Sequence, residues 1–154
     1  MSYDKFVSEY LSKGLIQKQK SSITDVERLL IRSIKDLKTA RANLKIDEGI
    51  AYTVAYLAML RAGRAFMLLK GFRPSDGSQH KTVVEFVGQA LGKEYRDVIG
   101  HFDRMRRKRN IFTYEIDITI SYTEAVNALH SGEIFVDLIM ELFKKENPQE
   151  CLKL

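Results

Sequence analysis

The stretch from Asp47 to Lys70 most constrains what this chain can fold into. It is rich in Ala, Leu and Met, and apolar around most of its circumference when wound as a helix. Such a helix cannot lie on a surface and must be surrounded by other elements. Ala51, Ala55, Ala58, Ala62 and Ala65 let those neighbours approach closely. The run 50–60 is followed by Arg61 and Arg64, so it falls short of the about 20 apolar residues that span a bilayer. This is the expected central helix of a water-exposed bundle, with Asp47 as its cap and Gly71 and Pro74 as its stop.

The flanking segments supply the surrounding helices. Phe6, Tyr10 and Leu11 place a short helix at 3–12, ended by Gly14, with 15–21 a polar connector. Ser22 or Thr24 opens a long helix to Leu44, with Ile23, Val26, Leu30, Ile34, Leu37 and Leu44 at helical spacing. Asp25 and Glu27 near its start and Lys45 at its end suit the helix dipole. After a loop at 72–79, Val83, Val84, Phe86, Val87 and Leu91 form a helix from Ser78 or His80 to the stop at Gly92. A helix at 93–112 follows. Residues 115–121 alternate polar and apolar, which reads as an extended linker. Ser121 and Glu124 make a capping box for a last helix to Lys145, with Ala125, Leu129, Val136, Ile139 and Phe143 inward. The expected fold is all-α, an up-and-down bundle of four long helices plus the short N-terminal one. It is a single domain over 1–154, with its core at 22–145 and a frayed tail at 146–154.

Composition narrows the partners. The formal net charge of +5 favours polyanions, nucleic acid first. One cysteine, Cys151, excludes an intrachain disulfide and a cysteine metal cluster, and fits a cytoplasmic protein. The opening residues Met1 to Asp4 carry no apolar signal core. No phosphate-cradling glycine loop or metal-spaced histidine pair is present, so neither a cofactor nor a metal is expected. His80 reads as a capping or surface residue, His101 as a half-exposed helix residue near the basic run, and His130 carries no special pattern. Asp47 and Glu48 read as capping groups, with pairing to Arg64 or Arg109 as the alternative.

The excess charge is concentrated in Arg104, Arg106, Arg107, Lys108 and Arg109. A charge run alone usually marks a solvated helix face. Here the register matters. Tyr95, Val98, Phe102 and Met105 form one helical stripe, and Arg109 and Phe112 are its next positions. Arg109 therefore falls on a core-facing seam. A guanidinium there must snorkel to water, pair with a carboxylate, sit at a subunit interface or receive an anionic ligand. Arg106 and Asn110 lie on its flank, and Tyr114 one turn beyond Asn110. Arg61 and Arg64 either emerge at the bundle surface or point into the same polar pocket.

Two stretches resemble the HEPN superfamily, small helical bundles of prokaryotic toxin–antitoxin and defence systems. One is Asp47-Glu48-Gly49-Ile50-Ala51-Tyr52 through Ala62-Gly63-Arg64 to Gly71-Phe72-Arg73-Pro74, followed by His80. It is similar to the Ala-rich second helix, turn and downstream histidine of such bundles. The other is Arg106-Arg107-Lys108-Arg109-Asn110 with Tyr114-Glu115, similar to the Arg-Asn signature closing a later helix. The resemblance implies a homodimer whose two signatures meet in one cleft. Its catalytic members are metal-independent ribonucleases that follow the arginine, after a short spacer, with a histidine. Here Tyr114 holds that position.

A tyrosine titrates near 10 and exchanges protons poorly at neutrality. The expectation is therefore an RNA- or nucleotide-binding HEPN-like protein whose nuclease activity is reduced or absent. Arg106 and Arg109 would bind phosphate, Asn110 would orient Arg109 or the ligand, and Tyr114 would meet a base or sugar. The alternatives are an active metal-independent endoribonuclease, with Tyr114 or His101 in the histidine's role, and a non-enzymatic dimeric adaptor. The resemblance also implies a nucleotidyltransferase-type antitoxin as partner. The tyrosine such partners modify is replaced by Ile116.

Overall fold

Side-chain caps and positive-φ glycines set most of the helix boundaries. The computed structural model describes residues 1–75, 79–115 and 118–148. Ser2 caps α1 (Tyr3–Ser12) by accepting from the Lys5 N–H. Gly14, at φ +71°, turns the chain into a short strand, β1 (Ile16–Lys18). Ser22 and Asp25 form a reciprocal capping box at the start of α2 (Ile23–Asn43). Asp47 caps α3 (Glu48–Leu69) through the Ile50 N–H at 3.0 Å. Gly71, at φ +90°, releases the chain into β2 (Phe72–Pro74). α4 (Gln79–Leu91) follows, then a single 3₁₀ turn at Lys93–Tyr95, α5 (Arg96–Tyr114) and α6 (Tyr122–Glu146).

The chain is predominantly helical, and four helices are long: α2, α3, α5 and α6, with 21, 22, 19 and 25 residues. Their side-chain pairs give the directions. Asp36 meets Arg61, and Ser21 just before α2 donates to the Leu68 carbonyl near the end of α3, so α2 and α3 run antiparallel. Arg41 meets Glu133, and Ile23 and Val26 line one cavity with Phe143 and Glu146, so α6 runs against α2. His101 meets Ser131 and Lys108 meets Glu124, so α5 runs against α6. The C-terminal half of α5 therefore lies beside the beginnings of α3 and α6.

α3 is the centre. Ala51, Ala55, Ala58, Ala62 and Ala65 are all fully buried, as their pattern requires. Gly63 lies where α4 crosses, and a β-carbon there would stand 2.5 Å from Val83 Cγ1. Phe86 of α4 gathers Tyr3, Phe6, Phe66 and Phe72 around its ring, which docks α1 and β2 onto the bundle. Asp36 is buried and takes Arg61 on one oxygen and Arg32, at 3.4 Å, on the other. Arg61 thus faces α2.

Four expectations are corrected. The connector at 15–21 and the loop at 72–79 contain β1 and β2, paired antiparallel with Gln17 opposite Arg73. Ile16 is buried by that pairing, so the connector is not wholly polar. The basic helix starts at Arg96 and reaches Tyr114. Ser121 caps α6, but the Glu124 carboxylate takes the Ser121 hydroxyl and Lys108 rather than completing a capping box. Ser78, Ile116, Cys151, the Phe112 side chain and most of the expected tail lie outside the described residues. Glu115 leaves α5 in an extended conformation, and residues 118–121 carry no regular element. No described helix is long and apolar enough to cross a membrane. Among the described residues no group of three or more acidic, histidine or cysteine side chains is placed to hold a metal.

Candidate functional site

The arginine stripe of α5 leads to the site. Phe102 and Met105 are fully buried, as their spacing requires. One turn on, Arg109 is half-buried, with its Nε shielded from solvent. Its guanidinium carbon lies 6.0 Å from the ring centre of Tyr56, within cation–π range. Tyr56 is a fully buried phenol on α3. Burial raises its pKa to about 12, against the pull of Arg109, Arg106 and Arg64.

A buried phenol needs a hydrogen-bond partner. Tyr56 finds it in His80, whose Nδ1 is 2.9 Å from the hydroxyl. The two rings lie 5.8 Å apart, tilted by 40°. His80 stands in the first turn of α4 and is half-buried. Its pKa lies below the ordinary histidine value, first because burial disfavours the imidazolium, then because Arg109, Arg64 and Arg106 repel it. The pair is thus a neutral imidazole beside a neutral phenol. If the hydroxyl donates to Nδ1, the imidazole proton sits on Nε2 as a hydrogen-bond donor. In the reverse arrangement Nε2 is a base.

Three arginines from two helices act electrostatically on this pair. Arg64 of α3 donates from Nη2 to Gln79 Oε1 at 2.8 Å, immediately before His80. Arg106 donates from Nε and Nη2 to Asp103 Oδ1, both at 3.1 Å, and looks into a cavity of about 540 Å³ between α1, α4 and α5. Arg107 pairs with the other Asp103 oxygen at 3.2 Å. Asp103 therefore offsets part of the positive charge and fixes Arg106. Arg64, Arg106 and Arg109 thus place positive charge near a hydrogen-bonded phenol–imidazole pair.

The expected site residues divide. Arg109 and Arg106 belong to the cluster. Arg104 and Arg107 are exposed, Arg107 in its pair with Asp103, and Lys108 is engaged by Glu124. Asn110 is exposed, and Tyr114 is 83% exposed. Tyr56 and Gln79 were not anticipated. His80, read as a cap or surface residue, is instead half-buried in the cluster. Of the two α3 arginines, Arg64 reaches the polar site and Arg61 does not.

His101 lies on a different flank of α5 from Arg106. Its Nδ1 is 2.5 Å from Ser131 Oγ, and with His130 and Arg104 it lines a separate cavity of about 480 Å³. It does not supply the imidazole of the arginine cluster. No protein-family profile matches this chain, and no curated protein shows significant similarity to it.

Proposed function

We propose that this chain is a HEPN-like protein that binds RNA or nucleotide phosphate at the Arg64–Arg106–Arg109 cluster. One observation carries the reading: Tyr56 and His80, joined by a 2.9 Å hydrogen bond, lie in the positive field of Arg109, Arg106 and Arg64, with the Arg109 guanidinium carbon 6.0 Å from the Tyr56 ring centre. Gathering like charges around half-buried ground costs free energy, and a phosphate offsets it. Tyr56, with its pKa raised to about 12, stays protonated and so stays a donor. An Nε2–H on His80 would serve as one more donor to a phosphoryl oxygen.

The reading extends to a toxin–antitoxin or defence setting and to a homodimer. Ile111, Tyr114 and Tyr122 support the dimer. They are exposed at 46%, 83% and 47% on adjoining helix ends, beside the cluster's end of the bundle. In such a dimer Asn110 and Tyr114 would act across the interface. A monomer by light scattering at micromolar concentration would remove that part of the proposal.

The second reading is a metal-independent ribonuclease in which His80, rather than Tyr114, exchanges the proton. The lowered pKa of His80 favours it, because a neutral imidazole is a competent base near neutrality. The tautomer divides the two readings, since a base needs Nε2 unprotonated.

The test is incubation of the whole protein with mixed single-stranded RNA in EDTA, beside Arg109→Ala. Salt-dependent retention that the variant loses, with no cleavage, is the expected result. Cleavage lost in Arg109→Ala and in His80→Gln establishes the ribonuclease. Salt-insensitive retention, or none, overturns both.

A further inference from the structure

A third cavity lies beside the cluster and is lined by Arg64. It has a volume of about 450 Å³ and lies between the start of α2, the β1–β2 pair and the start of α4. That size is within the range of small-ligand sites, about 300–1,000 Å³. Its polar lining includes Arg64, Arg73 and Asp25, and its apolar wall is Leu29, Leu68 and Pro74.

Both guanidiniums are braced. Arg64 is held by Gln79 at 2.8 Å. Arg73 donates from Nη2 to Gln17 Oε1 at 2.6 Å, and Gln17 is its cross-strand neighbour. The small sheet therefore positions Arg73 over the groove. Asp25 is held from the other side, where its Oδ2 accepts from the Ser22 N–H at 3.2 Å.

Two guanidiniums alone would suit a second phosphate. A carboxylate in the same groove opposes one, and favours a neutral ligand with both donors and acceptors. The wall of Leu29, Leu68 and Pro74 suits the face of a flat ring. Among the four RNA bases only guanine offers both edges this lining asks for. Its O6 and N7 accept from a guanidinium fork, and its N1–H and N2–H donate to a carboxylate. We infer that this groove is a guanine subsite, with Arg73 and Arg64 as donors and Asp25 as acceptor. It rests on the phosphate reading only for its place beside the cluster. Arg64 would then join the base subsite to the phosphate site, and the ligand class becomes guanine-bearing RNA or a guanine nucleotide.

The test uses the full chain and two probes that report separately. Guanosine carries no phosphate and reports the groove alone. A uridine oligomer carries phosphates and no guanine, and reports the arginine cluster alone. By saturation-transfer NMR and competition, guanosine should bind at least about fivefold tighter than adenosine, cytidine or uridine. Asp25→Asn keeps a capping residue at the same place and should abolish that preference. Arg73→Lys keeps the charge, loses the fork and should weaken guanosine similarly. Circular dichroism verifies that both variants are folded. Equal binding of the four nucleosides, or guanosine binding unchanged in both folded variants, overturns the guanine subsite whatever the oligomer does. Selective guanosine binding with no retention of the uridine oligomer upholds the subsite and overturns the phosphate reading.

Discussion

Tyr56→Phe removes one oxygen from the centre of the molecule and little else. Tyr56 is fully buried, and its ring keeps its packing against Phe102 at 5.8 Å and His80 at 5.8 Å. The variant loses the 2.9 Å bond to His80 Nδ1. A made hydrogen bond contributes about 0.5–1.5 kcal/mol net, and a buried group stripped of its partner costs about 1–3 kcal/mol. His80 is only half-buried, so water reaches part of the ring and the lower end of the second range applies. The expected loss is about 1–2 kcal/mol. With a urea m-value of about 2 kcal/mol/M, the midpoint at pH near 7.5 should fall by about 0.5–1 M. His80→Ala and the double variant complete a cycle, which should return a coupling of at least about 0.5 kcal/mol between the two sites. A midpoint that moves by less than about 0.2 M, or a coupling near zero, would mean the pair is a bystander and the centre of the proposed site is wrong.

The other predictions concern the same centre and the crossing above it. Single-stranded RNA binding should fall with salt at a log–log slope of about −2 for three arginines, and about −1.4 for Arg109→Ala, measured by fluorescence anisotropy. A parental slope near zero removes the phosphate assignment. The folded His80 holds its proton less tightly than the unfolded chain, so the unfolded state binds more protons below the ordinary pKa of about 6.5. Its contribution to stability is therefore fully present above about pH 6.5 and is lost as pH falls from there through the lowered folded value. Urea midpoints of the parent and His80→Gln should converge as pH falls across that window, and a pH-independent difference contradicts the cause assigned here. Gly63→Ala puts a methyl 2.5 Å from Val83 Cγ1, a β-branched and fully buried neighbour. Overpacking of about 1–3 kcal/mol should outweigh the gain of about 1 kcal/mol in helix propensity, so thermal unfolding should occur at lower temperature.

The parts of this fold legible in the sequence are those decided within a few residues. Ser22 with Asp25, Asp47, Gly14 and Gly71 each act on backbone groups one turn away, and each is read from its neighbours. The alanine pattern of α3 is equally local, because it states that the helix is surrounded without saying by what. The strands at 16–18 and 72–74 were hidden for the opposite reason. Three residues carry no period, and their pairing joins Gln17 to Arg73 across two helices.

The site shows the same division. The place of Arg109 on the core seam follows from the spacing of Phe102 and Met105. What it meets does not. A motif search looks for the histidine just downstream of the arginine and finds Tyr114, which points to solvent. The fold brings an imidazole from the preceding helix, through a phenol that passes in the sequence for one more apolar residue of α3. A signal was available: a tyrosine on the inner face of an alanine-rich helix must bury an oxygen, and so requires a polar partner from another element. Of the three histidines, His80 is the one that opens the next helix packed on α3, where a ring at the helix start can reach back to that oxygen. The imidazole beside the arginines is therefore His80, which no spacing downstream of Arg109 reveals. Its part in the proposed site depends on which nitrogen carries the proton, because the Tyr56 hydroxyl can either donate to Nδ1 or accept from it.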